Sequence, residues 1–542
     1  MEPVPDWGTI PRMLRDQAAR HPDDVVVAEG STTLTVRALR EEAARVARGL
    51  IALGVEPGDR VAVWAPNSAA WVVIAYGVWD AGAVVTPLST RFRGIEAAGM
   101  LRRTGARVLF VDEGFLGFSY LGALQEVCGG PSGGRPFGDL PELRHAVTLA
   151  GTGAPPPAVS FEDLLQRGEG VAGAEDRALA VRPDDLAEIM ATSGTTGAPK
   201  GVMLPHAQLL RGYWDWASIV TLGPDDRYPI IAPFSHGFGI NAGLLACVLK
   251  RATMMPISVF APDALMDMIE RDRISVLAGP PTLFHRILEE LDGRDVSSLR
   301  VAICGAAAVP PELIRRLIER VGLDRMINAY GLMEGTVVSM TRAGDPVEVI
   351  AATTGRPVPG VTVRIVDDEG KDLPAGERGE ILIGGYGVMR GYWDDPERTA
   401  EAVDADGWLH TGDIGELTAR GDLAIVDRKK DMFIVGGFNA YPAEIEALLL
   451  HHPAVAQAAV VAVADERLGE VGWAFVVPAA PVEPAEIIAW ARDHMSNYKV
   501  PRQVVLVEAL PANVNGKVDK QALRVRTARH RTVRGLLSRP DP

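Results

Sequence analysis

The stretch Met190–Leu204, MATSGTTGAPKGVML, combines residue types that can hold a phosphate group. Closely spaced glycines let backbone N–H groups approach a ligand, the threonine hydroxyls add donors, and Lys200 supplies a positive charge. The spacing differs from that of the G-x-x-x-x-G-K-[ST] P-loop, because Gly194 and Gly197 are too close together and Gly201 follows Lys200. A flexible surface loop is the alternative interpretation of this run when it is considered alone.

The cysteines and histidines show no metal-binding spacing. Cys128, Cys247 and Cys304 lie far apart and form no CxxC pair, which indicates a reducing compartment and argues against a zinc ribbon or a disulfide scaffold. Cys304, in VAICGAA, is predicted to be a buried packing residue. Since no H-E-x-x-H pattern occurs either, no structural zinc is predicted.

Short apolar runs rich in valine and isoleucine alternate with helical patterns, and they are RVAVWAP, GAVVTPL, ARVLFVDE, ISVLAGPP and RVAICGAA. This alternation predicts parallel strands joined by crossover helices. Cys128–Pro157, rich in glycine and proline, is predicted to be a surface excursion between such elements. GVMLPHAQLL, which follows the glycine-rich run, is predicted to start a helix.

The pattern changes near Gly421–Leu450, where the charged cluster Asp427–Asp431 separates two apolar strands and predicts a hinge. Pro442 then begins a helix, and strands and a further helix follow within about 100 residues, enough for a small core. The sequence therefore predicts an α/β protein with a large N-terminal domain of parallel-rich sheets and crossover helices, and a small mobile α+β C-terminal domain. The predicted bounds are 1–427 for the first, 428–525 for the second, and 526–542 for a flexible basic tail.

The composition is that of a globular protein with more than one domain, at 542 residues, 47% hydrophobic and 23% charged. A net charge of −15 argues against nucleic acids and anionic membranes as partners. The N-terminus lacks the pattern of a signal peptide, so a cytoplasmic location is expected. Ser68–Val85 carries Asp80 and two glycines, and we expect a buried helix followed by a strand there rather than a membrane span.

Six segments in a fixed order connect these features. The run S-G-T-T-G-x-P-K-G is followed by NAYGLMEG, WLHTGDIG, DRKKD, GGFNAYPAEIE and PANVNGKVDK. In this order they resemble the motifs of the AMP-forming adenylating superfamily of acyl-CoA synthetases, adenylation domains and luciferases. The resemblance extends over nearly the whole chain, from Ala52 to Leu523.

The resemblance implies a reaction in two halves. A carboxylate first attacks the α-phosphate of ATP to give an acyl-adenylate and pyrophosphate, and a thiol then displaces AMP. It implies ATP, Mg²⁺, a small-molecule acid and, as the second substrate, CoA. Because the first half brings two anions together, such a site acts mainly by neutralising charge and by positioning.

The resemblance also assigns roles to particular residues. It gives the β- and γ-phosphates to Thr192, Ser193, Gly194, Thr195, Thr196, Gly197 and Lys200. Glu334 is implied to bind Mg²⁺, and Lys517 to bridge the α-phosphate and the attacking carboxylate. His236, in PFSHGFG, is implied to lie beside the acyl site. Thr196, His236, Glu334 and Lys517 make up the implied catalytic set.

Nucleoside recognition is implied for two short segments and two single residues. The adenine pocket is assigned to Gly305, Ala306, Ala307, Asn328, Ala329, Tyr330 and Gly331, with Tyr330 offering a stacking face. Asp413 and Arg428 match the ribose contacts. Lys430 lies at the hinge, where rotation of the C-terminal domain would remove Lys517 and bring Gly436 and Gly437 to the thiol half-site.

The chain departs from the family pattern at two places. Met333 stands where the family usually has a threonine that donates to the α-phosphate, and a thioether cannot donate. The missing contact is worth about 0.5 to 1.5 kcal/mol for a neutral hydrogen bond and more for one to a charged group. Either a neighbour such as Thr336 compensates, or the acid differs in size or shape. Asn513 and Val514 replace the common arginine and threonine before the closing lysine.

Within the superfamily, PFSHGFG, GLLACVL, ISVLAGPPTLF, GGFNAYPAE and DERLGEVGWAFVV resemble bacterial acyl-CoA ligases that act on ring-bearing propanoates from steroid breakdown. We therefore predict an AMP-forming acid–CoA ligase for a hydrophobic or aromatic carboxylate. Three alternatives stay open at this point. They are loading of a carrier-protein thiol, activation of nitrite for attack by an aryl amine, and a degenerate nucleotide-binding protein without catalysis.

Overall fold

A computed structural model describes the chain over residues 3–149, 158–192, 200–305, 309–428, 431–435, 438–465, 467–495, 497–513 and 517–527. Backbone contacts divide the chain into two compact units. Unit 1 comprises Met1–Val363 and Ile383–Leu409, and unit 2 comprises Arg364–Leu382 and His410–Pro542. The domain boundary predicted at 427/428 and the mobility of the small domain stay predictions, and the predicted tail lies outside the described residues beyond Thr527.

The α-helices of unit 1 are α1 (Ile10–Arg20), α2 (Val36–Ala52), α3 (Ala69–Asp80), α4 (Gly94–Thr104), α5 (Tyr120–Cys128), α6 (Phe161–Arg167), α7 (Ala174–Ala180), α8 (His206–Val220), α9 (Ala246–Lys250), α10 (Leu265–Asp272), α11 (Pro281–Glu289), α12 (Pro311–Arg316), α13 (Val347–Ala352) and α14 (Pro396–Ala402). Short 3₁₀ turns occupy Phe115–Gly117 and Pro262–Ala264, and π-helical segments occupy Phe238–Leu245 and Leu317–Val321.

The strands of unit 1 are β1 (Val25–Glu29), β2 (Thr32–Thr35), β3 (Arg60–Trp64), β4 (Val84–Pro87), β5 (Val108–Val111), β6 (His145–Thr148), β7 (Val159–Ser160), β8 (Leu186–Thr192), β9 (Lys200–Pro205), β10 (Arg227–Ile230), β11 (Thr253–Pro256), β12 (Val276–Ala278), β13 (Val301–Gly305), β14 (Arg325–Leu332), β15 (Thr336–Met340) and β16 (Arg356–Pro357).

Parallel pairs dominate the sheets of unit 1. The largest sheet has the order β7-β6-β5-β3-β4-β8-β9 and is parallel except at β8/β9. A second sheet has the order β12-β13-β14-β15-β16, and a third has the order β10-β11-β1-β2. The five apolar runs of the sequence correspond to β3, β4, β5, β12 and β13, which confirms the predicted α/β class with parallel-rich sheets.

Capping side chains fix where several helices begin. Thr9, Thr35, Ser68 and Ser119 each accept a hydrogen bond from a backbone N–H in the first turn of the helix that follows. Such a bond satisfies one of the N–H groups that a helix start leaves unpaired. Helix α14 has a proline in its first turn, which also marks a helix start. Proline is favoured there because the N–H that it lacks would have had no partner within the helix.

The apolar stretch after Ser68 is a helix buried on nearly every side, followed by β4, as the sequence predicts. The charge that interrupts it, Asp80, is 1% exposed and pairs with Arg15 at 2.8 Å. Within the described residues, no helix has both the length and the hydrophobicity needed to cross a membrane.

Two cores support the sheets of unit 1. One packs α4 and α5 against the largest sheet and includes Trp64 and Tyr120, whose rings meet edge to face at 4.5 Å. The other packs α10, α11 and α12 against the second sheet. Cys304 belongs to this second core with no exposed surface, which confirms its predicted packing role.

Unit 2 is smaller and mixes helices with mainly antiparallel strands. Its strands are β17 (Val361–Val366), β18 (Gly379–Gly385), β19 (Leu409–Leu417), β20 (Leu423–Arg428), β21 (Phe433–Val435), β22 (Phe438–Ala440), β23 (Val455–Asp465), β24 (Gly469–Pro478) and β25 (Gln503–Leu506), the first three having some residues in unit 1. One sheet has the order β17-β18-β19-β20, and the other has the order β22-β21-β24-β23 with β25 parallel to β24.

The core of unit 2 lies between its second sheet and two helices, α15 (Pro442–Leu449) and α16 (Pro484–His494). Ile445 and Leu449 of α15 are fully buried there, together with Ile487 and Ala491 of α16. Both helices carry proline in the first turn, as the sequence predicts for α15. The predicted small α+β unit is therefore present.

A buried carboxyl group lies inside unit 1, on the strand that leads into the glycine-rich run. Glu188 of β8 is 0% exposed, and its Oε2 accepts a hydrogen bond of 3.0 Å from the side chain of Asn241. Its Oε1 and the Asn241 carbonyl oxygen have no hydrogen-bond partner among the described residues. Burial raises the pKa of Glu188 to about 8, so the group is mainly neutral near pH 7.

We predict that Glu188→Gln flattens the dependence of stability on pH. Because the folded pKa of Glu188 lies above the unfolded value of about 4.3, the folded protein binds more protons between these two values. The free energy of unfolding of the native protein should fall as pH rises from about 4 to 8, by roughly 3 to 5 kcal/mol. The melting temperature measured from pH 5 to 9 should therefore fall more for the native protein than for Glu188→Gln.

Glu126→Gln, an exposed change in α5, serves as the control and should keep the pH profile of the native protein. Parallel melting profiles for the native protein and Glu188→Gln would show that this carboxyl group ionises normally in the folded state.

Candidate active site

The hairpin of β8 and β9 positions the two ends of the glycine-rich run. Thr192, the last residue of β8, lies directly opposite Lys200, the first residue of β9, in antiparallel register. The predicted phosphate residues between them, Ser193, Gly194, Thr195, Thr196 and Gly197, lie outside the described residues. The predicted helix start is displaced: residues 200–205 continue the sheet as β9, and α8 begins only at His206.

A segment from far along the chain runs beside β9. Tyr392 forms an antiparallel bridge with Val202, the Met203 N–H donates to the Gly391 carbonyl at 3.0 Å, and the Trp393 N–H donates to the Gly201 carbonyl at 2.7 Å. Residues two apart on a strand point to the same face, so Lys200 and Val202 share a face of β9. This register brings Tyr392 next to Lys200.

Lys200 and Glu334 contact the same tyrosine. The Lys200 Nζ lies over the Tyr392 ring, 4.3 Å from its centroid, and the Tyr392 hydroxyl donates to a Glu334 carboxylate oxygen at 3.0 Å. Tyr392 is 6% exposed. Burial and, after it, the Glu334 carboxylate raise the pKa of Tyr392 well above its usual range, so the hydroxyl stays a neutral donor. The structure therefore brings together two residues that the sequence assigned to ATP and Mg²⁺.

The turn between β14 and β15 holds Glu334 through its backbone. The Gly335 N–H donates to the Leu332 carbonyl at 3.1 Å, and the Glu334 carbonyl accepts from the Met389 N–H at 2.7 Å. Within the described residues, no three His, Cys, Asp or Glu side chains form a metal-ligand cluster. A single carboxylate fits Mg²⁺, which commonly takes one or two protein carboxylates and otherwise uses substrate phosphates and water.

The predicted adenine residues meet at neighbouring strands. Gly305, at the end of β13, lies opposite Ala329 of β14 in parallel register, while Ala306 and Ala307 lie outside the described residues. The buried Asn328 side chain donates to the carbonyls of Ile350 and Thr353 at 3.2 and 3.0 Å. Its amide therefore holds the end of α13. Tyr330 is partly buried and Gly331 is exposed. The adenine role of this set stays a prediction.

Met333 contacts the segment that contains His236. The Met333 thioether packs on Gly237 so closely that a Cβ added to this glycine would lie 2.7 Å from the Met333 sulfur. His236 is exposed, and its Nδ1 accepts from the Phe238 N–H at 3.2 Å. The residue that replaces the family's threonine thus fills space between the Glu334 turn and the predicted acyl segment.

Unit 2 carries the predicted ribose residues on adjacent strands. Asp413 of β19 lies opposite Arg428, the last residue of β20. Asp413 is 4% exposed, and its N–H donates to the Thr411 hydroxyl at 3.0 Å. Lys430, Gly436 and Gly437 lie outside the described residues, between β20 and β21 and between β21 and β22 respectively.

In unit 2, the backbone of Lys517 is hydrogen-bonded to Asn513. The Lys517 N–H donates to the Asn513 side chain at 3.1 Å, and the Asn513 N–H donates to the Lys517 carbonyl at 2.7 Å. Asn513, one of the two departures from the family pattern, therefore holds the backbone of the closing lysine. Val514, the other departure, lies outside the described residues.

Two regions of the chain match known protein families. The AMP-binding enzyme family matches residues 14–393, and the C-terminal domain of AMP-binding enzymes matches residues 444–517. This chain belongs to the AMP-binding enzyme family. Lys200, Glu334 and Tyr392 of this chain all lie within the first matched region.

Known relatives of this AMP-binding enzyme match nearly its full length. It is 42% identical over 522 residues to the 3-[(3aS,4S,7aS)-7a-methyl-1,5-dioxo-octahydro-1H-inden-4-yl]propanoyl:CoA ligase of Rhodococcus jostii, covering 95% of this chain and 98% of the relative. It is 43% identical over 530 residues to the ligase of the same name from Mycobacterium tuberculosis, covering 96% and 99%.

Among solved structures, the anthranilate CoA ligase AuaEII in complex with anthranoyl-AMP superposes with a TM-score of 0.84 at 27% identity, covering 98% of this chain and 99% of the other. The predicted superfamily, its likeness to propanoate-type CoA ligases and the fold class are confirmed.

Tyr392 is the residue of this site that sequence reasoning missed. It carries no charge and lies in VMRGYWDD, outside the six motifs. The local sequence, a glycine and two aromatic residues before a pair of aspartates, gives only an indirect indication that Tyr392 belongs to the site. Its contacts with Lys200 and Glu334 depend on the pairing of residues 391–393 with β9.

We predict that Met333 and Gly237 are energetically coupled. Gly237→Ala should lower the melting temperature by about 2 °C, because the new methyl group displaces the Met333 thioether in a packed region. In a Met333→Thr background the same change should cost less than half as much, since the thioether is gone. Differential scanning calorimetry of the four proteins measures this coupling.

Gly223→Ala is the matched control, because a Cβ at Gly223 would meet nothing within 4 Å. Its effect should be the same with Met333 as with threonine at 333. Additive effects of Gly237→Ala and Met333→Thr would show that the two side chains do not press on each other in solution.

Proposed function

We propose that this protein joins CoA to a bulky, hydrophobic, ring-bearing carboxylic acid, using ATP and Mg²⁺ and passing through an acyl-adenylate. It is an AMP-forming acid–CoA ligase, the class to which its relatives at 42% and 43% identity belong. The observation in this chain that best supports the proposal is the grouping of Lys200, Tyr392 and Glu334 at the end of the β8–β9 hairpin. A cation that can bind phosphate oxygens and a carboxylate that can bind a divalent ion both contact the same tyrosine side chain.

In the proposed first half-reaction, a carboxylate oxygen of the acid bonds to the α-phosphorus of ATP while the bond to pyrophosphate breaks. We assign Lys200 and the run 192–199 to the departing phosphates, and Lys517 to the α-phosphate and the attacking carboxylate. Bound Mg²⁺ would neutralise phosphate charge, with Glu334 as its protein ligand. All reacting groups are anions, so fixed positive charge and orientation supply the catalysis.

In the proposed second half-reaction, the CoA sulfur bonds to the acyl carbon, AMP leaves, and the thiol proton passes to solvent. Asp413 and Arg428 are assigned to the ribose of the nucleotide, a role that their opposite positions on β19 and β20 support. Lys430, Gly436 and Gly437 are assigned to the hinge and the thiol half-site by family likeness alone. CoA, rather than a carrier protein, is the proposed acceptor because both ligases at 42% and 43% identity are named for CoA.

The proposed acid has an apolar, ring-bearing body next to the carboxylate. Met333 and Gly237 meet between Glu334 and the segment of His236, which we assign to the acyl side of the site. A polarizable thioether favours contact with rings and other apolar surface over contact with a second polar group. The acids named for the two relatives, propanoates that carry two fused rings, have this character.

We predict that an acid panel will rank ring-bearing propanoates first. Release of pyrophosphate with ATP and Mg²⁺ should have a kcat/KM at least about tenfold higher for a fused-ring propanoate than for octanoate or malonate, since apolar pockets discriminate by shape to this extent. AMP and the CoA thioester should form in equal amounts when CoA is present.

The same panel tests the alternatives. Nitrite with an aryl amine, and a phosphopantetheinyl carrier protein in place of CoA, should give no product above background. Preference for malonate would overturn the proposed acid class, and pyrophosphate release with none of the acids would overturn the ligase assignment.

We predict that Lys517→Ala separates the two half-reactions. Pyrophosphate release that depends on the acid should fall by about 100-fold or more, because one positioned charge on the reacting groups is worth several kcal/mol. Transfer of the acyl group to CoA from a supplied acyl-adenylate should persist.

Lys371→Ala, at another exposed lysine of unit 2, is the control and should leave both halves unchanged. Equal loss of both half-reactions in Lys517→Ala would show that Lys517 acts generally rather than on adenylation.

A further inference from the structure

We propose that Tyr392 is a positioning residue for the adenylation half-reaction, because it holds the Lys200 ammonium and the Glu334 carboxylate on one buried side chain without letting them pair. This inference rests on the proposed function, which assigns Lys200 to the phosphates and Glu334 to the metal. It adds a residue to that site and a reason for its geometry.

The backbone around Tyr392 is fixed on both sides. Its bridge to Val202 ties it to β9, and its N–H donates to the Thr399 hydroxyl of α14 at 2.9 Å. The Thr399 hydroxyl in turn donates to the Asp395 carbonyl at 2.8 Å. With 6% of its surface exposed, Tyr392 has little room for another rotamer. These backbone contacts and the burial therefore restrict where the ring and hydroxyl can lie relative to β9.

The two ends of Tyr392 suit opposite charges. The hydroxyl donates to Glu334 at 3.0 Å, a bond that is strengthened by the charge on its acceptor. The ring face carries the negative side of the aromatic quadrupole, and the Lys200 Nζ lies 4.3 Å from its centroid. One neutral side chain thus satisfies a carboxylate at its edge and an ammonium at its face.

The separation of these charges is the informative feature. Within the part of the chain that the structure describes, no ion pair joins Lys200 to Glu334, although each contacts the same ring. In a direct ion pair the two groups would neutralise each other, and ATP or a metal ion would have to break the pair in order to bind. A contact through Tyr392 leaves the ammonium available to phosphate oxygens and the carboxylate available to a cation.

Tyr386 offers an internal comparison in the same unit. Its hydroxyl donates to an Asp215 carboxylate oxygen at 3.2 Å, and the Arg211 guanidinium lies 4.3 Å from its ring centroid. The same type of carboxylate–tyrosine–cation contact therefore occurs at a second place, where neither charged residue belongs to the six motifs. Tyr386→Phe is a matched control for the loss of a hydroxyl–carboxylate bond.

The test measures binding of α,β-methylene-ATP, which cannot release pyrophosphate, by titration calorimetry with EDTA and with Mg²⁺. The native protein should bind the analogue more tightly with Mg²⁺. Tyr392→Phe should keep the metal-free Kd within about twofold and reduce the Mg²⁺ enhancement about fivefold or more. Tyr392→Leu, which also removes the ring, should weaken metal-free binding as well. Tyr386→Phe should change neither quantity.

Two further measurements separate positioning from folding and from the proposed function. In a Glu334→Ala background, Tyr392→Phe should have no additional effect on the Mg²⁺ enhancement, and this holds even if Tyr392→Phe lowers the melting temperature. Acyl transfer from a supplied adenylate to CoA should be unchanged in Tyr392→Phe.

The positioning role would be overturned if Tyr392→Phe left the Mg²⁺ enhancement of binding unchanged. It would also be overturned if Tyr392→Phe reduced this enhancement equally in the native and Glu334→Ala backgrounds. Failure of the native protein to bind the analogue at all would instead count against the proposed function.

Discussion

Two opposite charges held apart on one buried ring are the constraint on which the candidate site depends. Lys200 begins a strand, Glu334 lies in a turn between two other strands, and neither is placed by its neighbours in sequence alone. Both are fixed relative to each other because residues 391–393 hydrogen-bond to β9 and carry Tyr392 between them. The proposed chemistry needs a cation and a carboxylate at a set separation, and backbone pairing supplies that separation.

A buried hydrogen bond between Glu188 and Asn241 also joins segments that lie far apart in the sequence. Glu188 on β8 and Asn241 in the π-helical segment link the strand that enters the glycine-rich run to the segment that follows His236. π-Helical turns are uncommon and often occur near functional sites. A neutral carboxyl group in this position avoids the cost of a buried charge, while its hydrogen bond keeps the two segments in register.

The sequence predicts the architecture better than the site. Valine-rich runs identify the parallel strands because strands buried on both faces are apolar throughout, and first-turn prolines mark helix starts. The motifs identify Lys200 and Glu334, but Tyr392 carries no charge and is placed by pairing with a strand far away in sequence. The adenine role of Asn328 stays a prediction, and its side-chain amide also donates to two carbonyls at the end of α13, a contact that no local pattern reveals.

Met333 shows why a substitution in a motif cannot be evaluated from the motif alone. From sequence, replacing threonine with methionine removes a donor to the charged α-phosphate, a loss of about 1.5 to 3 kcal/mol. In the fold, the thioether reaches Gly237, where the lack of a side chain leaves room for it. The long side chain and the glycine are complementary in volume, so the change at 333 converts a polar contact into apolar packing beside the proposed acyl segment. Under the proposed function, a site altered in this way loses one α-phosphate donor, keeps Lys200 and Glu334, and changes the surface proposed to meet the acid, so the substitution bears on which acid is activated more than on whether ATP is used.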